Sequence, residues 1–140
     1  MKQFQLDKIE SGFQWLQNEF DNVDTIQSID DLIQKLNLIN STLAWCNEQM
    51  AIAKYNYNEA KVKAYLNLQA SDLANNDRKF SPLLAKDYVA SLCKNEAYCF
   101  DLTERFSRSL VHIADNIRTC ISALKEQMKL DMQAERVPNY

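Results

Sequence analysis

Apolar residues recur at steps of three and four along most of this chain, with polar residues filling the gaps. From Ile29 the series runs Leu32, Leu36, Ile39, Leu43, Cys46, Met50, Ala53, Tyr57, Ala60 and Ala64. Five unbroken heptads of this spacing predict a coiled-coil helix rather than a strand, whose apolar residues would alternate. Ser28 supplies an N-cap and Asp31 an acid in the first turn. A helix over about 29–70 would be ~60 Å long at 1.5 Å per residue. A third helix over about 82–134 opens on Ser81-Pro82, a serine cap with proline at the first helical position. Its seam is Tyr88, Leu92, Cys99, Leu102, Phe106, Leu110, Ile113, Ile117, Cys120 and Leu124, with Asn95 as the one polar interruption. Before both, Leu6, Ile9, Phe13, Leu16 and Phe20 mark a shorter helix over about 2–20. Gly12 inside it marks either a close helix contact or a bend.

Between the long helices, Asn75-Asn76-Asp77 interrupts the pattern with turn formers, placing a tip at about 71–81. When the chain folds back there, Ala64 meets Tyr88, Ala60 meets Leu92, Cys46 meets Phe106 and Ile39 meets Ile113. Small residues then tend to lie opposite large ones, as close packing requires. The expected fold is all-α: a long antiparallel coiled-coil hairpin plus the shorter N-terminal helix, resembling a three-helix bundle. The short connector 21–27 turns the first helix back along the start of the second.

Composition agrees with this reading. The 140 residues suit one domain over 1–140, and they include one glycine and two prolines. Sheet folds need far more turn residues, and a glycine-rich phosphate loop needs at least a second glycine. No run of 18 apolar residues spans a membrane and the N-terminus lacks a signal-peptide core, so a cytoplasmic location is expected.

The second helix carries another apolar stripe nearly opposite its seam: Leu38, Trp45, Ile52 and Leu66, with Tyr55 and Val62 beside them. A first helix folded back from about residue 24 brings Phe4 near Trp45 and reaches little further. Ile52, Tyr55, Val62 and Leu66 are therefore expected to lie uncovered and to form an interface with a second copy. The alternative is that the first helix or the C-terminal tail shifts to cover them.

Charge is uneven along the chain, although the net value is only −3. Residues 1–59 carry 4 basic and 9 acidic groups, whereas residues 60–94 carry 6 basic and 3 acidic. Lys61, Lys63, Arg78, Lys79 and Lys86, interleaved with aromatics, are candidates for phosphate contact with a nucleic acid, or with a small nucleotide held between subunits. They serve equally well as a solvated face. Chemistry has few other candidates. His112 has no second histidine to join it at a metal, and no cofactor or metal site is expected. Cys46, Cys93, Cys99 and Cys120 form no C-x-x-C pair and read as buried reduced thiols. A Cys–His nucleophile would require Cys99 or Cys120 to leave the seam. Catalysis is not expected.

Three stretches carry a resemblance: Lys54-Tyr-Asn-Tyr-Asn-Glu-Ala-Lys-Val-Lys-Ala-Tyr-Leu, Ser81-Pro-Leu-Leu-Ala-Lys-Asp-Tyr and Arg118-Thr-Cys-Ile-Ser-Ala-Leu-Lys-Glu. Over roughly its last two-thirds the chain is similar to small helical proteins encoded by bacteriophages and prophages, mostly of no assigned function. The resemblance implies an accessory role in the cytoplasm of an infected bacterium, as a recombination or replication helper or an inhibitor of host defence, with a host or phage protein as a further partner. It assigns no functional residue.

Overall fold

A long helix with neither glycine nor proline has nothing local to stop it, and the second helix runs unbroken for 46 residues. The computed structural model describes residues 2–74 and 81–136. It contains α1 (Leu6–Phe20), a 3-10 turn (Val23–Thr25), α2 (Ile29–Ala74), α3 (Pro82–Leu92) and α4 (Lys94–Arg136), with no strand among the described residues. The residues of the expected tip from 75 to 80 lie outside the described residues.

The helix starts have identifiable causes. Ser28 Oγ accepts the Asp31 N–H at 3.3 Å, and Asp30 and Asp31 sit where the helix dipole favours negative charge. Ser81 Oγ accepts the Leu84 N–H at 3.2 Å, ahead of Pro82. α1 begins at Leu6, later than expected, and residues 2–5 are not helical.

α2 packs chiefly on α4, and the contacts run in opposite directions along the two helices. Cys46 Sγ donates to the Thr103 carbonyl at 3.7 Å, and the Tyr57 ring stacks on Phe100 with centroids 6.4 Å apart. At the other end Ile29 and Leu124 line the same recess. Every expected seam residue of α2 is buried or half-buried, with Leu32, Ile39, Cys46, Ala53 and Ala64 fully so.

The third helical segment departs from expectation. It breaks at Cys93, where φ is −111° and ψ is 22°, and the Cys93 N–H bonds back to the Ala90 carbonyl at 3.2 Å. Neither proline nor glycine marks this break. It changes which residues face α2. Val89 and Cys93 are buried with Ala64 and Leu68, whereas the expected seam residues Tyr88 and Leu92 are exposed. The inward face of α3 is thus set one residue on from the heptad seam, with Val89 and Cys93 rather than Tyr88 and Leu92 against α2. In α4 the fully buried line is Thr103, Phe106, Leu110, Ala114, Ile117 and Ile121. Leu102, Ile113, Cys120 and Leu124 are half-buried beside it.

α1 packs chiefly on α4 and lies alongside the first half of α2. Lys35 Nζ donates to the Glu19 carbonyl at 2.7 Å and lies 5.0 Å from the centre of the Phe20 ring. At the other end of α1 the Gln5 N–H donates to Gln49 Oε1 at 2.8 Å, which accounts for a buried glutamine in an apolar setting. Gly12 marks a close contact. A Cβ built there would stand 2.7 Å from Cζ of Phe106, and Phe13 meets the same ring edge-on at 5.3 Å between centroids.

Gly12→Val is therefore expected to cost about 1–3 kcal/mol in urea unfolding, as overpacking does. Shortening the opposing ring with Phe106→Leu should make the same substitution less costly. Equal losses in both backgrounds would show that the glycine is not there for Phe106.

Candidate interaction surface

The expected strip on α2 divides in two. Tyr55 is 51 % exposed, Val62 58 % and Leu66 59 %, and at 100° per residue the three lie within about 40° of one another. Their face of α2 is opposite the one carrying Tyr57, Ala60, Ala64 and Leu68, which packs with α3. Ile52 does not belong with them. It is only 7 % exposed, which corrects the expectation that it lies uncovered. The N-terminal segment lies against the neighbouring turn of α2, and residues 2–5 are not helical. This segment reaches Glu48 through Lys2 at 3.0 Å and Gln49 through Gln5, one turn before Ile52.

A charged pair sits in the middle of the strip. Glu59 lies between Tyr55 and Val62 in sequence and on the same face, with its Oε1 3.5 Å from Lys63 Nζ. Tyr65 is exposed on one flank. Further exposed apolar residues, Leu83, Leu84, Tyr88 and Leu92, lie on α3.

The basic candidates do not gather into one patch. Lys61 and Lys63 are two residues apart on one helix and so point about 200° apart. Lys61 Nζ lies 4.3 Å from the centre of the Tyr57 ring, a cation–π contact, while Lys63 pairs with Glu59. Lys86 is exposed on α3. Arg78 and Lys79 lie outside the described residues.

The four thiols are free, and each has its pKa pushed up, chiefly by burial. Cys46, fully buried, is raised to about 11. The Glu96 carboxylate adds to the effect at Cys93 and Cys99, and Lys61 opposes it at Cys93. At Cys120 the neighbouring Asp24 carboxylate adds to it. Raised values leave these thiols protonated at neutral pH, the wrong state for a nucleophile. His112 is exposed, at the edge of a groove lined by Phe13, Leu16, Phe20 and Arg108. No group of three or more metal-ligating side chains occurs among the described residues. None of the described helices is long and apolar enough to cross a membrane.

One feature has only a faint signal in the sequence. A groove of about 580 Å³ lies between α1 and α2, with Trp15 and Trp45 among its walls and Gly12 and Phe106 also lining it. Its hydroxyls are turned to their own helices: Ser11 donates to the Lys8 carbonyl, and Ser41 and Thr42 both donate to that of Leu38. The lone glycine of the chain was the available clue, because the missing side chain lets the Phe106 ring come up against α1 beside this groove.

The thiol shifts fix a pH dependence. A group held protonated by the fold stabilises it fully below its unfolded pKa, and that contribution is lost as pH rises through the folded value. For Cys46 the window lies between 9.0 and about 11. Across it, stability should fall by up to ~1.4 kcal/mol per pH unit from this thiol. Urea unfolding from pH 8 upward should show a shallower decline for Cys46→Ala than for the natural chain, and parallel declines would contradict the assignment.

No protein-family model, no curated protein and no solved structure matches this chain, so the functional argument rests on the surface itself.

Proposed function

We propose that this is a non-catalytic helical binding protein that works by self-association and protein–protein contact. In this reading α2 and the α3–α4 arm form an antiparallel coiled-coil hairpin, with the free flank of α2 as the binding surface. One observation carries the proposal: Tyr55, Val62 and Leu66 are each more than half exposed on a single face of a helix whose opposite face is already packed. Burying a valine or leucine side chain is worth about 1.5–3 kcal/mol, so leaving three large residues in line on one face forgoes a substantial stabilisation unless something covers them. The protonated thiols and the dispersed lysines favour a contact surface over a nucleophile or a phosphate-binding patch. The resemblance to bacteriophage-encoded helical proteins would make this an accessory factor in an infected cell, whose oligomer engages a further protein.

Sedimentation velocity over a wide concentration range tests this directly. The natural chain should move from monomer to dimer or larger as concentration rises. Val62→Asp should weaken that association by about a hundredfold or more while leaving helicity and the unfolding midpoint of the monomer unchanged. Ile52→Ala should behave in the opposite way, costing about 2–4 kcal/mol of stability because its side chain is buried within the chain. A natural chain that sediments as a monomer at every concentration would overturn the proposal.

A further inference from the structure

Resting on that self-association, the geometry points to how the second copy sits: α2 packs antiparallel on α2 of its partner, across a two-fold axis beside residues 60 and 61. Glu59 decides the orientation. Its carboxylate lies on the apolar face between Tyr55 and Val62, where any partner that covers the strip also strips water from it. An apolar helix docked there would leave Glu59 with no new partner. A partner that fits must bring a cation to the same height.

A second copy does so in one orientation. With the axis beside residues 60 and 61, Tyr55 lies level with Leu66 of the second copy, and Glu59 level with its Val62. Lys63 stands one turn along from Glu59 and slightly to one side of the strip. A two-fold axis perpendicular to both helices preserves that side. Each Glu59 therefore lies within about one residue rise of the Lys63 across the contact. The pair seen within one chain at 3.5 Å then becomes part of a ring of two carboxylates and two ammonium groups. A parallel arrangement in the same register would instead set Glu59 against Glu59 and Lys63 against Lys63.

One feature at larger scale agrees with this orientation. The short helix α1 ends its run along α2 near Gln49. In the antiparallel arrangement the two copies of α1 lie at opposite ends and do not collide. The contact turns the two-helix section of each chain into a four-helix layer.

The test uses full-length chains in sedimentation velocity, at a concentration where the natural chain is a dimer. Glu59→Lys alone places four ammonium groups at the contact, and Lys63→Glu alone places four carboxylates there; each should weaken dimerisation by about tenfold or more. Mixed in equal amounts, the two variants should form a one-to-one heterodimer that neither forms alone. The double variant Glu59→Lys with Lys63→Glu should dimerise within a few-fold of the natural chain. Circular dichroism checks that helicity is the same in all of them. If the single variants dimerise as well as the natural chain and show no preference for each other, this arrangement is overturned while self-association stands. If the natural chain is itself monomeric at every concentration, the proposed function fails together with it.

Discussion

The shape of this molecule follows from a mismatch in helix length. α1 has 15 residues and α2 has 46, so at 1.5 Å per residue the first covers about 22 Å of a rod roughly 69 Å long. A helix packed on one side only leaves much of its apolar surface in water. Along the first half of α2, α1 packs on α4 and completes a shared core built from Ile9, Leu16 and Phe20 with Leu32, Ile39, Phe106 and Ile117. Beyond Gln49 no described element takes its place. The packing there is thin: beyond Ile52 and Ala53, the cluster buried among the described residues is Ala64, Leu68, Val89 and Cys93.

The two halves therefore have different energetic characters. The three-helix end gains from large interdigitated side chains, including the Phe13–Phe106 pair admitted by the absence of a side chain at Gly12. Its polar interior groups are satisfied: Gln49 accepts from Gln5, and Thr103 donates to the Cys99 carbonyl at 2.7 Å. The two-helix end buries few large residues and leaves Tyr55, Leu66, Tyr88 and Leu92 exposed. Such an end has the least internal stabilisation and the most to gain from a partner, which is why binding is assigned to it. The same trade is visible within α3, where Val89 and Cys93 face inward and Leu92 does not.

Much of this was legible in the sequence because the heptad period is a direct imprint of helix packing. The α2 seam from Ile29 to Ala64 needed no other information, and the α1 stripe Ile9, Leu16 and Phe20 was equally plain. The break at Cys93 was not legible. It arises without proline or glycine, and it moves the buried face by one residue, from Tyr88 and Leu92 to Val89 and Cys93. Ile52 was misplaced for a different reason. Periodicity describes helices, and the four non-helical residues ahead of α1 reach Glu48 and Gln49 on α2 through contacts that no periodic pattern records. The exposure of Tyr55, Val62 and Leu66 was readable because their stripe lies opposite the seam and beyond the reach of α1. The opposed placement of Lys61 and Lys63 also follows from spacing alone, and it disperses the basic cluster that their nearness in sequence suggests.

The claim that matters most is that a second copy completes the two-helix end, and amide hydrogen exchange along α2 tests it most directly. At concentrations above the dimer dissociation constant, amides around residues 55–68 should exchange more slowly than in dilute solution, while those around 32–46, already covered by α1 and α4, should not change. Exchange along the whole of α2 that is indifferent to protein concentration would contradict it.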